Sequence, residues 1–133
     1  DDPYGRTALM DAAFVGNANL LDARLVAVGD EDRMRVRLDG GIELEGHASV
    51  PGWRPAADGK VLVCIRPENL ELVADGFPAI VSRVSYLGAV QNCELTAGPI
   101  VLRADWPSRQ RMQEGAQVQL ACAPGSVVLL PPE

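Results

Sequence analysis

RMRVRLDGGIELEG, residues 33–46, predicts a β-hairpin and with it the fold class of the chain. Apolar residues alternate with arginines before the turn and with glutamates after it, which is the period of a half-buried strand. The alternating positions are Met34, Val36 and Leu38 against Arg33, Arg35 and Arg37, then Ile42 and Leu44 against Glu43 and Glu45. The turn Asp39-Gly40-Gly41 supplies residues that accept the positive φ angles of tight hairpins. Arginines on one strand then face glutamates on the other, a pairing that stabilises sheets.

Outward from the hairpin, the remaining patterns predict more strands. The alternation extends back to Val28, and a loop rich in proline, glycine and alanine follows at residues 47–59. Further strands are predicted at residues 60–67, 77–87, 90–97, 100–104, 117–123 and 127–130, with a polar connection at 105–115. Near the start, Thr7 is predicted to cap a short helix that ends before Gly16. Many short strands at this spacing are typical of an all-β sandwich or barrel.

Composition places the chain among globular proteins and argues against one class of function. Its 133 residues suffice to bury a core without metals or disulfides. Charged residues make up 23% and apolar residues 47%, so neither disorder nor a coiled coil is favoured. The net charge is −6, and Lys60 is the one lysine among 12 basic residues. Binding to a nucleic-acid backbone requires clustered lysine and arginine, so this acidic balance argues against it.

The three cysteines, Cys64, Cys93 and Cys122, are predicted to be small buried residues rather than metal ligands. They lie far apart without a C-x-x-C pair, and their odd number fits a reducing compartment. We expect no membrane span, because no stretch approaches roughly 20 apolar residues, and no signal peptide. Since the first residue is Asp1 rather than methionine, we expect an excised piece of a longer protein.

The second half of the sequence resembles the first when it is moved back by roughly 57 to 59 positions. Val61, Val63, Ile65, Pro67, Leu70 and Leu72 fall on Val118, Leu120, Cys122, Pro124, Val127 and Leu129. Residues 23–25 likewise fall on residues 82–84, and Gly40, Ile42 and Leu44 fall on Gly98, Ile100 and Leu102. Strand, turn and proline coincide together. The sequence therefore predicts a duplicated β unit, with units at about 19–75 and 76–133.

The duplication separates two kinds of residue in the segment IRPEN, residues 65–69. Pro67 has a counterpart in Pro124, so it is predicted to be structural and to end a strand by removing a ladder donor. Arg66 and Glu68 correspond to Ala123 and Gly125. Their charges are therefore expected to serve a purpose that the first unit alone requires.

Four segments in this order resemble a known family: FVGNANLLDARLVAVG, GKVLVCIRPENLELV, FPAIVSRVSYLGAVQNCELTAG and GAQVQLACAPGSVVLL. Together they resemble the TOBE (transport-associated OB) domain, the C-terminal region of ATP-binding subunits of ABC importers for polyamines, ferric iron, sugars and related solutes. The resemblance runs from about Phe14 to Leu130, and FVGNANLL, IRPE and YLG are its most specific parts. The structural residues within these motifs are Gly16, Asn19, Pro67, Tyr86 and Gly88.

The resemblance implies an OB-like β-barrel assembly appended to an ATPase domain. Residues 1–18 would be the linker or short helix from the end of that domain, and residues 19–133 the regulatory domain. Its implied partners are its own ATPase domain, a second copy of the subunit in a homodimer, the membrane subunits of the transporter and a small-molecule or anion effector, but not nucleic acid. The implied location is cytoplasmic, at the inner face of the plasma membrane.

No catalytic residue, cofactor or metal is expected in this chain. It contains no G-x-x-x-x-G-K-[ST] phosphate loop, ABC signature or Walker B strand, so ATP and magnesium are expected on the ATPase domain. His47, the only histidine, is predicted to lie at the start of a loop. It has no nucleophile or carboxylate cluster near it in sequence, so a catalytic role is not favoured.

The candidate regulatory or interface residues are Arg66, Glu68, Asn69, Trp53 and Trp106. Arg66 and Glu68 either make a specific contact with another domain or subunit or belong to a local turn. In the second case, the Glu68 carboxylate would accept backbone N–H groups near Asn69. Each tryptophan lies within two residues of a proline in a predicted polar loop, and either anchors an interface or covers a barrel end.

Two other classes of function stay open as alternatives. Domains related to this family bind molybdate or tungstate, and residues 82–88 and 123–128 offer hydroxyl groups and nest-like turns for an oxyanion. A nucleic-acid OB module would stack bases on Trp106 beside Arg103, Arg109 and Arg111. The acidic total, with Asp105 and Glu114 nearby, argues against this second alternative.

Overall fold

The computed structural model describes residues 18–50, 52–56 and 59–132, and there the chain is almost entirely β. The strands in these ranges are β1 (Asn19–Val28), β2 (Arg33–Leu38), β3 (Glu43–Ala48), β4 (Lys60–Ile65), β5 (Glu71–Leu87), β6 (Val90–Ala97), β7 (Ile100–Pro107), β8 (Gln117–Ala121) and β9 (Val127–Leu130). Short 3-10 turns at Pro67–Asn69 and Pro124–Ser126 precede β5 and β9. The all-β class is confirmed, while the expected N-terminal helix lies outside the described residues.

The chain divides into two compact units, and the first is a closed five-stranded barrel. This first unit contains the chain up to Arg66 and takes up the chain again from Ala123. Its strands follow the order β1-β2-β3-β9-β4. Neighbouring strands pair antiparallel except β3 and β9, which are parallel. The OB-like barrel predicted for the chain is therefore present in this unit.

The predicted hairpin at residues 33–46 is present as β2 and β3. Arg35 lies opposite Glu45, and Arg37 lies opposite Glu43. The Arg37 and Glu43 side chains form an ion pair in which Nη2 is 2.8 Å from Oε2. Exposed pairs contribute only about 0–1 kcal/mol, so burial of the alternate apolar side chains dominates the stability of the hairpin.

The bounds of β1 were not predicted from the alternation of apolar residues in the sequence. Its alternate residues Leu21, Ala23 and Leu25 are buried in the barrel. The apolar runs Leu20-Leu21 and 26–28 obscure this period of two in the sequence. The alternation of β2 therefore does not continue back to Val28, because residues 29–32 form the turn between β1 and β2.

The second unit, Pro67–Cys122, is a four-stranded sheet in the order β7-β6-β5-β8. β5 begins at Glu71, whereas the sequence predicted a strand from Phe77. Its register with β8 shifts between Leu72 and Phe77. Gly76 lies in this shift, where a Cβ atom would collide with the carbonyl oxygen of Leu120. Close backbone contact at a glycine thus allows one long strand to bend.

The compact units do not coincide with the two sequence repeats, which are predicted to meet at about residue 75. Residues 67–75 belong to the second unit, and the chain from Ala123 belongs to the first. Each repeat contains four strands, a 3-10 turn that begins at a proline, and a further strand segment. The last segment of each repeat pairs within the other unit: β9 joins β3 and β4, and residues 71–72 join β8. Local sequence similarity reveals the repeat, but strand pairing decides which unit a segment completes.

Candidate functional site

The segment from Ile65 to Asn69 lies where the chain passes from the first unit to the second. β4 ends at Ile65, and Pro67 opens the 3-10 turn that Leu70 N–H closes by donating to the Pro67 carbonyl at 3.5 Å. Ile65 and Leu70 are each 1% exposed, so both ends of the segment are anchored in cores. Between these anchors, Arg66 and Asn69 are half-buried and Glu68 is exposed.

Within the described part of the chain, neither Arg66 nor Glu68 makes an ion pair or a side-chain hydrogen bond. The local turn network, with Glu68 accepting N–H groups near Asn69, is not formed among these residues. The segment therefore presents a cation and an anion two positions apart on a turn that buried neighbours hold in place. Such groups can form charge-assisted hydrogen bonds with another surface.

The corresponding turn of the second repeat, Pro124–Ser126, carries no charge. Ser126 closes it by donating from both its N–H and its hydroxyl to the Ala123 carbonyl, at 2.9 Å and 2.7 Å. The Ser82 hydroxyl donates to the Glu94 carbonyl at 3.0 Å. Two of the hydroxyl groups proposed for an oxyanion are thus already engaged with backbone carbonyls.

The two tryptophans have different environments. Trp53 is half-buried in the loop between β3 and β4. Trp106 was predicted in a polar loop, but β7 continues to Pro107 and Trp106 is buried, with 7% of its surface exposed. Its Nε1 donates to the Leu70 carbonyl at 2.8 Å. The alternation of β7 directs Trp106 inward, so it cannot anchor an external partner.

For three residues of the family motifs, the contacts or backbone geometry agree with a structural role. The Asn19 side chain is buried at the start of β1 and donates from Nδ2 to the Ile65 carbonyl at 3.2 Å. Gly88 has a φ of 75° in the turn between β5 and β6, which favours glycine. The Tyr86 hydroxyl donates to the Met112 carbonyl at 2.8 Å, and Arg111 lies 5.0 Å from the ring centroid. Gly16 lies outside the described residues.

His47 lies within β3 rather than at the start of a loop. Its Nδ1 is 3.3 Å from the Pro124 carbonyl oxygen. In the described ranges, no group of three or more His, Cys, Asp or Glu side chains is arranged to hold a metal ion. No helix within those ranges is long and apolar enough to cross a membrane.

Cys64 and Cys93 are buried as predicted, and Cys122 is half-buried. Burial raises the pKa of each thiol, that of Cys122 to about 11. All three side chains therefore remain thiols at neutral pH. This protonation state does not favour a nucleophile, since thiolate is the reactive form.

Asp32 holds the loop at Gly52 and Arg54 in place, a role that the sequence analysis did not predict. Its Oδ1 accepts from Gly52 N–H at 3.0 Å and from Arg54 Nη1 at 2.9 Å. These two hydrogen bonds, that from Gly52 first, lower the pKa of the Asp32 carboxyl below its usual value. Glu31 and Asp32 both have positive φ, at 55° and 63°. Asp30, Glu31 and Asp32 look equivalent in sequence, and only the turn geometry points one carboxylate at the loop.

Gln91 is a second residue that sequence reasoning missed. It is fully buried, and its Nε2 donates to the carbonyls of Pro107 and Gln110 at 2.9 Å and 2.5 Å. Its Oε1 accepts from Met112 N–H at 3.0 Å. The sequence feature that could have identified it is a polar residue on the inward-facing side of β6, two residues before the buried Cys93. A buried amide at such a position must find partners, and here they are the backbone of the following loop.

Residues 63–130, just over half of the chain, match the family described as TOBE domain. The chain belongs to the TOBE domain family. A curated relative of this TOBE domain is the spermidine/putrescine import ATP-binding protein PotA of Rubrobacter xylanophilus. It is 38% identical over 81 residues, which cover 59% of this chain and 21% of the relative. The TOBE domain thus spans about a fifth of the length of that relative.

A solved structure similar to this TOBE domain is that of the cytoplasmic molybdate-binding protein ModG with molybdate bound. The TM-score is 0.73, and the match covers 85% of this chain and 96% of that chain. Sequence identity is 14%, so the likeness concerns the fold. The family and the OB-like fold predicted from the sequence are both confirmed.

Proposed function

We propose that this TOBE domain is the regulatory and dimer-contact part of an ATP-binding subunit of an ABC importer. The observation that carries the proposal is the 38% identity to an import ATP-binding protein, in a chain that matches the TOBE family. ATP and magnesium are bound by the ATPase domain of that subunit, and the domain described here modulates ATP-driven import. The subunit acts in the cytoplasm, bound to the membrane subunits of the transporter.

The mechanism is mechanical. The packing of the TOBE domain against its ATPase domain, or against the second copy, changes how readily the two ATPase domains close. Arg66, Glu68 and Asn69 are the contact residues, and the proposal is supported by the absence of internal partners for the two charges among the described residues. Couplings of this kind amount to about 1–3 kcal/mol, which a small interface with charge-assisted hydrogen bonds can supply.

The test uses the full-length subunit, reconstituted with the membrane subunits in proteoliposomes. Arg66→Ala, Glu68→Ala and the double variant should reduce solute uptake per ATP hydrolysed, by about fivefold or more for the double variant. The melting temperature should not change, because these side chains make no bond to the described residues. Arg109→Ala with Glu114→Ala is the matched control, since both residues are exposed charges after β7. A large loss of stability with normal transport would assign Arg66 and Glu68 to local structure instead.

The oxyanion-binding alternative has weaker support. It rests on the likeness of fold to ModG, and Ser82 and Ser126 already donate their hydroxyl hydrogens internally. Titration calorimetry of the chain with molybdate, and with sulfate for comparison, tests it directly. Saturable heat with molybdate alone would make this alternative the leading function, and no heat with either anion would dispose of it.

A further inference from the structure

A cleft lies on the second unit where β5 runs between β6 and β8. Ile80 on β5 is in register with Thr96 on β6 and, on its other side, with Gln117 on β8. Directly paired residues of antiparallel strands project from the same face of a sheet. All three side chains are exposed, so this face is the outer one, and all three residues line a cleft of about 700 Å³. We name it the β5 cleft.

The bend of β5 supplies one wall of the β5 cleft. The register of β5 with β8 shifts between Leu72 and Phe77, and Leu72 and Val73 line the cleft. Gln119 on β8 also lines it, and its Oε1 accepts from Gly76 N–H at 3.3 Å within the shift. This bond orients the amide, so that the Nε2 group of Gln119 remains as a donor for a ligand. Bulges of this kind commonly lie beside functional sites, because they redirect side chains.

The first unit has a cleft at the equivalent position, and its lining is charged. There β1 runs between β2 and β4, as β5 runs between β6 and β8. The equivalent row of directly paired residues is Lys60, Arg24 and Arg37, and Asp22 and Asp39 line the same cleft of about 1070 Å³. This equivalence follows from strand pairing, which differs on β1 and β5 from the sequence alignment of the repeats. The duplicated scaffold thus forms a cleft at this place in both units, with different chemistry in each.

The lining of the β5 cleft favours an uncharged ligand. None of the described residues that line it is charged. Apolar walls and uncharged polar side chains form it: Leu72, Val73 and Ile80, then Thr96, Gln117 and Gln119. Small-molecule sites typically combine apolar walls with a few polar groups in about 300–1,000 Å³. A charged ligand would lose hydration here without meeting an opposite charge, whereas an amide or hydroxyl group would exchange water for hydrogen bonds with the side chains.

We propose that the β5 cleft binds a small uncharged molecule that has an apolar face and an amide or hydroxyl group. The apolar face covers Ile80, which is 47% exposed, and the polar group bonds to the amides of Gln117 and Gln119. The cleft of the first unit does not take the same ligand, because its charged side chains stay hydrated. The inference is independent of the proposed function, since neither Arg66 nor Glu68 lines this cleft.

The test compares three probes of one shape, benzamide, benzoate and benzamidine, on the full 133-residue chain. At neutral pH the first is uncharged, the second is an anion and the third is a cation. Titrations are followed by proton–nitrogen correlation spectra at about 0.15 M salt, where a Debye length of about 8 Å limits the general attraction of a cation to an acidic chain. Benzamide should shift the side-chain amide signals of Gln117 and Gln119 saturably. It should bind about fivefold or more tightly than either charged probe.

Two variants of the cleft and one matched control sharpen the test. Gln117→Glu introduces an anion with little change of shape, and it should make benzamidine the tightest of the three probes. Ile80→Ser removes part of the apolar wall and should weaken benzamide binding by about fivefold or more. Val101→Ser is the control, because Val101 is exposed opposite Thr96 on the same face but does not line the cleft. It should leave the affinity unchanged.

Thermal unfolding of each variant shows whether it is folded. If Ile80→Ser does not fold, Gln117→Glu still decides, because Gln117 is exposed at the start of β8. The proposal is overturned if benzamide gives no saturable shift, if a charged probe binds wild type as tightly, or if Val101→Ser weakens binding as much as Ile80→Ser does. Shifts confined to the first unit would likewise overturn it, because the ligand would then occupy the charged cleft.

Discussion

In each unit, the chain that follows a 3-10 turn is joined to the third strand, β3 in the first unit and β7 in the second, but the two connections differ. In the first unit, β9 pairs with β3 through backbone hydrogen bonds, with His47 opposite Val128 and Ala48 opposite Leu129. In the second unit, the indole of Trp106 at the end of β7 donates to the Leu70 carbonyl at 2.8 Å. A junction made by backbone pairing is distributed over several residues. A junction made by one side chain concentrates the same task in one position, so the second unit should be far more sensitive to a single substitution.

Trp106→Ala should have the largest effect on stability. It removes a buried indole and leaves a cavity, which typically costs about 3–5 kcal/mol. Trp106→Phe keeps most of the apolar volume but leaves the Leu70 carbonyl without its donor, at a cost of about 1–3 kcal/mol. Both values are measured as changes in the free energy of unfolding in urea. Trp53→Ala is the control in the first unit, and an equal loss there would contradict the contrast between the units.

Gly76→Ala and Gly46→Ala test close backbone approach in each unit. A Cβ at Gly76 would collide with the Leu120 carbonyl, and a Cβ at Gly46 would lie 2.7 Å from Val127 Cγ1 and 2.8 Å from the Val127 oxygen. Each substitution forces strands apart, and we expect a loss of about 1–3 kcal/mol in the free energy of unfolding. At Gly125 an added Cβ meets no atom within 4 Å, so Gly125→Ala should be neutral or slightly stabilising. A loss at Gly125 as large as at Gly76 would show that steric contact is not the cause.

Asp32→Asn tests a pH dependence that arises in a loop of the first unit. The folded pKa of Asp32 lies below its usual value because Gly52 N–H and Arg54 donate to the carboxylate. The stability that this carboxylate contributes is therefore present above the ordinary pKa of about 3.9, and is lost as the pH falls through the lower folded pKa. Wild type should be more stable than Asp32→Asn at neutral pH, and the difference should shrink on acidification. Asp30→Asn in the same turn is the control variant, since Gly52 and Arg54 donate to Asp32. A difference for Asp32→Asn that is constant down to acid pH would contradict the assignment.

The ion pair between Arg37 and Glu43 should have the smallest effect. Both side chains are exposed, so a double-mutant cycle with alanine at each position should give a coupling energy of about 0.2–1 kcal/mol. The coupling should fall further in about 1 M salt, where the Debye length is about 3 Å. A coupling much larger than this range would mean that surface charge, rather than the buried alternate face, holds the hairpin together.

Local features of the candidate site were predictable from the sequence, and the partners of its residues were not. The repeat identified Pro67 and Pro124 as equivalent and left Arg66 and Glu68 as charges of one copy only. The structure adds that Pro67 opens a 3-10 turn and that the two charges have no internal partner among the described residues. By contrast, Trp106 was placed in a loop, because a proline and several polar residues follow it. Its inward direction depends on β7 remaining paired with β6 as far as Pro107.

The sequence by itself determined the all-β class, the hairpin turn, the duplication and the family, because each depends on residues that are neighbours in the chain or recur at a fixed spacing. Only the tertiary structure decided that β9 completes the first unit, that residues 71–72 join β8, and that Asp32 rather than Asp30 holds the loop at Gly52. It also decided that Arg24 lies between Arg37 and Lys60. These are pairings between residues far apart in sequence. Their register is set by the burial of whole strand faces, a collective property that no local pattern encodes.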